Sequence, residues 1–437
     1  MSPLEIGSLS VVALLVLIYA GMHVPVALML VSFVSVWLMR DNFGLASRLL
    51  ASTAAESISS YLFGIVPLFV LMGLLVSIAD LGRDAFSAAE TLFRRIKGGI
   101  GVATVAANAV FAAITGISIA SAAVFTKVAV PEMARAGFKV RFAAGIVGGS
   151  SVLGMLIPPS LLMIIYAVLT EQSVGDLFVA GIVPGLLLAG VFAATIFGMA
   201  YLLPRQVFEA GGARETIPGD RPEGSVIARL APIVALAALV LGGIYGGVFT
   251  PTEAGAAGAL GALLIALLKR RLNWTKLWRV LAETGYVTAS ICLLIIAAAM
   301  YSRMLALSGI TGALSGLFGA EANNIAVLIA LYIVIVILLG TILDSVSIML
   351  IVVPLVLPAL TANGIDLIWF GIITITAVEI GLLTPPFGLS VYVIKSTLDD
   401  DSVSLGDIFI GAIPFVLAML VVLLILIAFP TLSTVLL

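Results

Sequence analysis

The sequence predicts an all-α polytopic membrane protein made of two inverted-topology repeats, and three observations carry that prediction. First, apolar residues make up 62% of the 437 residues and charged residues only 10%, with a mean hydropathy of +1.28. A chain so composed is a bundle of membrane-crossing helices. Second, a proline pair interrupts two long apolar runs, as Gly154-Met-Leu-Ile-Pro-Pro-Ser160 and as Gly381-Leu-Leu-Thr-Pro-Pro-Phe-Gly388. Two prolines remove two backbone donors and cannot continue a helix, so each run is a helix broken inside the membrane. Backbone exposed at that depth survives only in a protein-lined setting, and paired breaks in two halves point to a transport site. Third, a shift of 227 residues brings Gly82 onto Gly309, Ser118 onto Ser345, Pro131 onto Pro358 and Gly137 onto Gly364. The same shift pairs Gly154 with Gly381, Pro158 with Pro385 and Pro159 with Pro386. With 18 prolines in 437 residues, one proline meets another by chance about 4% of the time, so three such pairs mark a duplication.

Runs at about 5–20 and 24–39 are separated by Gly21-Met-His-Val-Pro25, a turn that makes them an antiparallel pair. The first run lacks a basic leader and a cleavage site and is expected as a retained helix. Residues 40–60, with Asp41, Arg48 and Glu56, are expected as an interfacial amphipathic helix that completes a scaffold unit at 1–60. A third crossing at about 61–80 leads to a basic loop with Arg83, Arg94, Arg95 and Lys97. The next segment, about 98–135, is apolar and interrupted by Thr115-Gly-Ile-Ser-Ile-Ala-Ser121. It is followed by a second basic stretch with Lys127, Arg135, Lys139 and Arg141. Positive loops stay in the cytoplasm, so this segment leaves and returns on one side as a re-entrant hairpin. At ~1.5 Å per residue its arms are too short for two full spans. A broken helix at about 141–169 crosses outward, Thr170-Glu-Gln-Ser173 turns outside, and 176–203 returns, closing a transport-domain half at 61–203. Residues 204–229, with Arg205, Arg214, Arg221 and Arg229, read as a cytoplasmic linker.

The second half repeats the plan upside down. Its scaffold unit, 230–284, has a crossing at about 230–246, Thr250-Pro-Thr-Glu253 outside, a helix to Leu268, and an interfacial segment Arg271–Arg279 with Trp274 and Trp278. The other transport-domain half, 285–437, begins with a crossing at about 285–304. A hairpin at about 322–363 follows, with its tip at Leu339–Ser347 and flanks that carry Glu321 and Asp366 but no Lys or Arg. A broken helix at about 367–395 and a crossing at about 407–430 finish the chain. Each half has five crossings and one hairpin, and because five is odd the halves are inverted and both termini lie in the periplasm.

Both tips and both breaks are expected near the midplane, where half-helix N-termini suit an anionic carboxylate. Freed carbonyls and the hydroxyls of Thr115, Ser118, Ser345, Ser347 and Thr384 are hard oxygen ligands suited to Na⁺. Asp344 is the single carboxylate in either tip. A charge at that depth costs at least ~2.5 kcal/mol, so either a cation compensates it or it caps a half-helix through backbone N–H groups. Glu379, just before the second break, is open to a structural hydrogen bond or to coordination. Thr250-Pro-Thr-Glu253 has the spacing of a capping box. Lys127 and Arg303 sit near membrane ends, where snorkelling or an ion pair is the plainer role. One cysteine, Cys292, and one histidine, His23, leave no disulfide framework and no cysteine-based metal site.

Leu156-Ile-Pro-Pro-Ser160, Asp176-Leu-Phe-Val-Ala-Gly-Ile-Val-Pro-Gly185, Tyr245-Gly-Gly-Val-Phe-Thr-Pro-Thr-Glu-Ala254 and Leu383-Thr-Pro-Pro-Phe-Gly388 together resemble the large membrane subunit of tripartite ATP-independent periplasmic (TRAP) transporters. The resemblance runs over essentially the whole chain. It implies an elevator-type secondary transporter, driven by Na⁺ as coupling ion. It further implies a small four-helix membrane subunit, not fused here, and a periplasmic binding protein delivering an organic acid such as a C4-dicarboxylate, sialate or sugar acid. Carried over by position, the cation sites fall on Thr115, Gly116, Ser118 and Gly154, and on Gly340, Asp344, Ser345, Gly381 and Thr384. Substrate contacts fall on Ser118, Ser150, Ser151, Pro159, Ser160, Ser345 and Pro386. One departure is that Ile117 and Ile119 stand where the family's first tip often has serines, which shifts that site towards carbonyl ligands.

Three other readings are weaker. A stand-alone Na⁺/carboxylate symporter of the divalent-anion type shares the hairpin plan, but the Thr-Pro-Thr-Glu motif and the absence of Ser-Asn-Thr triplets in the tips argue against it. A membrane enzyme would want a nucleophile–base pair or an aspartate dyad at depth, which the chain does not offer. A channel has no need of two broken helices in inverted repeats.

Overall fold

The computed structural model describes residues 1–59, 61–209, 225–310, 313, 322–398, 400 and 402–437. Among the described residues the fold is helical throughout, with one isolated bridge between Phe138 and Phe208. The chain opens with α1 (Pro3–Tyr19), α2 (Val24–Arg40) and α3 (Phe43–Ser59). The α1 start is fixed by a capping box in which Ser2 and Glu5 satisfy each other's backbone N–H groups. Helix α3 covers most of the 40–60 stretch expected as an amphipathic helix, with Ala46, Leu50 and Thr53 forming its buried stripe.

Next come α4 (Ile65–Ile78) and α5 (Leu81–Phe93), which meet at an angle of 61°. The charges around Arg83 suggested a loop there, and the structure places a helix instead. Leu81, Gly82, Ala85, Phe86 and Ala88 recur at helical spacing and bury one face, which outweighs the exposed Arg83. The first hairpin is α6 (Gly99–Thr115) and α7 (Ser118–Arg135), with Gly116 and Ile117 as its tip. The first broken helix comprises α8 (Val140–Ser151), α9 (Leu153–Leu156) and α10 (Leu161–Thr170), bent by 42° at the break. Helix α11 (Val174–Leu202) closes this half, followed by the short α12 (Pro204–Val207). The linker arginines Arg214 and Arg221 lie outside the described residues.

The second half opens with α13 (Val226–Tyr245) and α14 (Pro251–Leu268), the latter started by the Thr250–Glu253 capping box. Helix α15 then runs unbroken from Trp274 to Ser308, 35 residues. The interfacial segment 271–279 and the crossing from 285 were expected as separate elements, with a domain boundary at 284/285. With no proline in this span and Gly285 tolerated inside it, nothing stops the helix between them. The second hairpin is α16 (Ala322–Gly340) and α17 (Ser345–Ala362); Glu321 on its flank lies outside the described residues. The second broken helix is α18 (Leu367–Leu382) and α19 (Leu389–Thr397), and α20 (Leu405–Ala428) and α21 (Thr431–Thr434) end the chain.

Six of the described helices are long and apolar enough to cross a bilayer alone, and the two bent pairs bring this to eight. The halves are pinned together at depth. A Cβ on Gly145 of α8 would lie 2.0 Å from the Gly411 carbonyl oxygen of α20, so the two backbones touch. The Tyr166 hydroxyl donates to the Leu367 carbonyl at 2.6 Å, tying α10 to the start of α18.

Candidate functional site

Each proline pair leaves a helix open, and the hairpin tip of the same half closes it. After the first break the Leu161 N–H donates to the Gly116 carbonyl at 3.1 Å; after the second the Gly388 N–H donates to the Thr341 carbonyl at 3.2 Å. Leu161 and Gly388 are separated by the same shift of 227 that relates Pro158 to Pro385. A buried donor freed by a helix break must find a partner, and in both halves a hairpin-tip carbonyl provides it: Gly116 in the first, and in the second Thr341, two residues before the 227-shift counterpart of Gly116. Both Pro–Pro bonds are cis.

Glycine permits this closeness. Gly116 has φ +62°, and a Cβ there would lie 2.6 Å from the Pro159 carbonyl oxygen. A Cβ on Gly154 would stand 3.4 Å from the Ile117 carbonyl, so the first break faces the first tip. In the second half a Cβ on Gly381 would meet the Gly340 Cα at 2.6 Å. The expected cation residues therefore gather as two clusters: Thr115, Gly116, Ser118 and Gly154, and Gly340, Asp344, Ser345, Gly381 and Thr384. The Thr115 hydroxyl donates to the Phe111 carbonyl and that of Thr384 to the Ile380 carbonyl. Each hydroxyl has its proton committed and its lone pairs free, the state in which an oxygen serves as a cation ligand. Among the described residues no group of three or more His, Cys, Asp or Glu side chains could hold a metal ion. Carbonyls, hydroxyls and isolated carboxylates suit an alkali cation.

Asp344 behaves as a cap. One carboxylate oxygen accepts from the Val346 and Ser347 N–H groups at 3.1 Å each, and the other accepts from the Ser347 hydroxyl. Ile117, its counterpart at the 227 shift, is the N-cap of α7 and provides no side-chain hydrogen bond. Asp344 is half-buried and, with Val346 and Ser347, borders a cavity of about 520 Å³ whose other wall is His23–Val26 with Ser290, Ile291, Leu293 and Leu294.

The other candidate serines are buried and partnered. Ser150 accepts from the Asn108 side-chain amide, and Asn108 in turn accepts from the Ser121 hydroxyl. Ser151 donates to the Gly148 carbonyl. Ser160 caps α10, accepting from the Met163 N–H and donating to the Met155 carbonyl. Pro159 is buried whereas Pro386 is exposed, and Phe387 beside it is 48% exposed. The first tip and break are thus closed off, while the second face surfaces. Arg303 pairs with Glu56 at 2.6 Å and with Thr53 at 3.1 Å, the ion-pair role expected of it, and Lys127 is exposed.

Two residues outside the candidate set complete the centre. Glu379 is 0% exposed, and its Oε1 accepts from Ser118 at 3.5 Å and from Ser345 at 3.1 Å. Those serines are a 227-shift pair, so one carboxyl joins both tips. It is the single acidic residue between Asp366 and Asp399, which was the available signal. Asn108, buried on α6, clamps the first hairpin to α8, and an amide within an apolar helix was its signal.

The profile of the family described as "Tripartite ATP-independent periplasmic transporter, DctM component" matches residues 11–432. The chain belongs to the DctM family. It is 32% identical over 387 residues to the C4-dicarboxylate TRAP transporter large permease protein DctM of Pseudomonas aeruginosa, covering 88% of each chain. It is 28% identical to the sialic acid TRAP transporter large permease protein SiaM of Vibrio cholerae over 95% of this chain and 94% of that one. With the 2,3-diketo-L-gulonate TRAP transporter large permease protein YiaN of Escherichia coli it shares 28% identity over 88% of each. These DctM-family relatives are named as permeases, and the chain is a membrane transport protein, not an enzyme. The fold is shared with the YdaH transporter of Alcanivorax borkumensis, at a TM-score of 0.59, 16% identity, and coverage of 88% of this chain and 89% of that one. It is also shared with MtrF of Neisseria gonorrhoeae, at a TM-score of 0.57, 14% identity, and coverage of 90% and 85%.

Proposed function

We propose that the chain carries an organic acid of the C4-dicarboxylate, sialate or sugar-acid type inward across a bacterial inner membrane, by an elevator motion driven by a Na⁺ gradient. A periplasmic binding protein hands over the substrate, and a small four-helix membrane subunit stands beside the chain. The observation that carries this reading is that each break is closed by the hairpin tip of its own half, Leu161 to Gly116 and Gly388 to Thr341, which makes two similar tip-and-break clusters.

Two inverted repeats with paired breaks are the architecture in which substrate and coupling ions bind at the repeat interface. The first cluster would hold Na⁺ through the Gly116 region carbonyls and Thr115, the second through the Gly340 and Gly381 region and Thr384. The ion, when bound, supplies positive charge that offsets a substrate carboxylate. Asp344 adds negative charge to the second cluster while capping α17. With the N-terminus periplasmic, the turn at Gly21–Pro25 is cytoplasmic, so the cavity between His23 and the second tip opens inward. It is the exit for substrate in this reading, and the exposed Pro386–Phe387 stretch belongs to the half whose tip lies there.

Uptake of labelled organic acids into proteoliposomes containing this chain and its small subunit tests the proposal, with and without inward Na⁺ and with and without the binding protein. Uptake that needs both is the expected result. Uptake by this chain alone, indifferent to the binding protein, would make it a stand-alone symporter.

A further inference from the structure

Glu379 has no equivalent in the other half, where Val152 occupies the position 227 residues earlier. Its Oε1 accepts from both tip serines, whereas Oε2 is buried and has no hydrogen-bond partner. The ion pairs among the described residues lie elsewhere: Arg135–Glu132, Lys269–Asp84, Arg271–Asp80 and Arg303–Glu56. A fully buried carboxylate with an orphaned oxygen and no basic side chain beside it is strongly disfavoured unless it takes up a proton or a cation joins it. The two serines spend their protons on Oε1, so their oxygens keep lone pairs.

We infer that Glu379 Oε2, with the Ser118 and Ser345 hydroxyl oxygens, forms a third monovalent-cation position shared by the two hairpin tips. It is additional to the two tip-and-break clusters, takes one serine from each, and lies where the repeats meet. Both serines are the first residues of their helices, α7 and α17. The partial positive charge of two helix N-termini repels a bare cation, so a hydroxyl-only site would not hold one there. The full negative charge of Glu379 is what makes the position tenable, and that accounts for a carboxyl where an amide could accept the same two hydrogen bonds. Occupying this position would draw both tips onto one ligand, so the two halves would respond to Na⁺ together.

This inference rests on the Na⁺-coupled reading, and one experiment separates the two. The melting temperature of the purified full chain is followed against NaCl, with choline chloride holding ionic strength constant, for wild type, Glu379→Gln and Ser345→Ala. Each bound ion adds its own logarithmic stabilisation, so the slope per tenfold Na⁺ counts sites. Three wild-type positions predict a slope that falls by about a third in Glu379→Gln. Ser345→Ala, which keeps the carboxyl, shifts the response to several-fold higher Na⁺. A Na⁺ response of Glu379→Gln identical to wild type overturns the shared position and leaves the two clusters standing. If wild type itself does not respond to Na⁺, the coupled reading falls first. Should Glu379→Gln fail to fold, the wild-type slope decides alone: a slope that counts two Na⁺ positions rather than three overturns the inference.

Discussion

At the scale of single residues, the centre separates groups that hold the architecture from groups with bonding capacity to spare. Asn108 belongs to the first kind. It is buried and spans Ser121 and Ser150, so Asn108→Leu strands two hydroxyl groups and lowers stability by about 1–3 kcal/mol. A reduced melting temperature with helix content intact is the expected outcome. Asp344 can be tested by exploiting the fact that asparagine caps as well as aspartate. Asp344→Asn keeps the melting temperature near wild type, and a fall in Na⁺ sensitivity in that variant isolates the charge from the cap. Asp344 and Glu379 stood out in the sequence, because an acid inside an apolar run is conspicuous, whereas the amide Asn108 was passed over. Their partners were not legible. Ser118 lies 261 residues from Glu379, and no local pattern reports a contact of that range.

At the scale of elements, the two hairpins and two broken helices fall within a few residues of where the proline pairs and glycine tips put them, because those residues forbid the alternatives. The two elements misread had no such punctuation. Helix α5 was hidden by its arginine, and α15 was divided by an aromatic pair that does not interrupt a helix. Close backbone contact at the second cluster makes a specific forecast. Gly381→Ala would put a Cβ 2.6 Å from the Gly340 Cα and 2.7 Å from the Ile337 carbonyl, both backbone, so α16 and α18 must separate. That overpacking costs about 1–3 kcal/mol, whereas Gly190→Ala in α11, with nothing within 4 Å, is neutral or stabilising by up to about 1 kcal/mol. Melting curves of the two variants check the contrast. Glu253→Gln retains a capping box with Thr250, and unchanged melting and uptake are expected of it.

At the scale of the whole molecule, the two halves match in sequence but differ in exposure. The first tip and break are closed, while the second tip faces the cavity and the second break reaches the surface. The composition and the repeat made the membrane architecture and the duplication legible, but a repeat is symmetric by construction and does not say which half is open. That follows from packing between distant elements. Other contacts between the halves are ionic. Lys269 at the end of α14 pairs with Asp84 and donates to the Ala79 carbonyl, and Arg271 reaches Asp80 at 3.6 Å, so the α4–α5 elbow packs on the end of α14. In the elevator account the second hairpin tip moves against α2, which the sequence assigns to the scaffold. Val26 of α2 and Val346 of the tip border the same cavity, and Cys292 is the chain's single cysteine. The most direct measurement is therefore uptake by Val26→Cys/Val346→Cys in a Cys292→Ser background, before and after bridging by a cleavable thiol cross-linker. The account predicts that uptake stops when the bridge forms and returns when it is cleaved. Undiminished uptake by the fully bridged protein would contradict it.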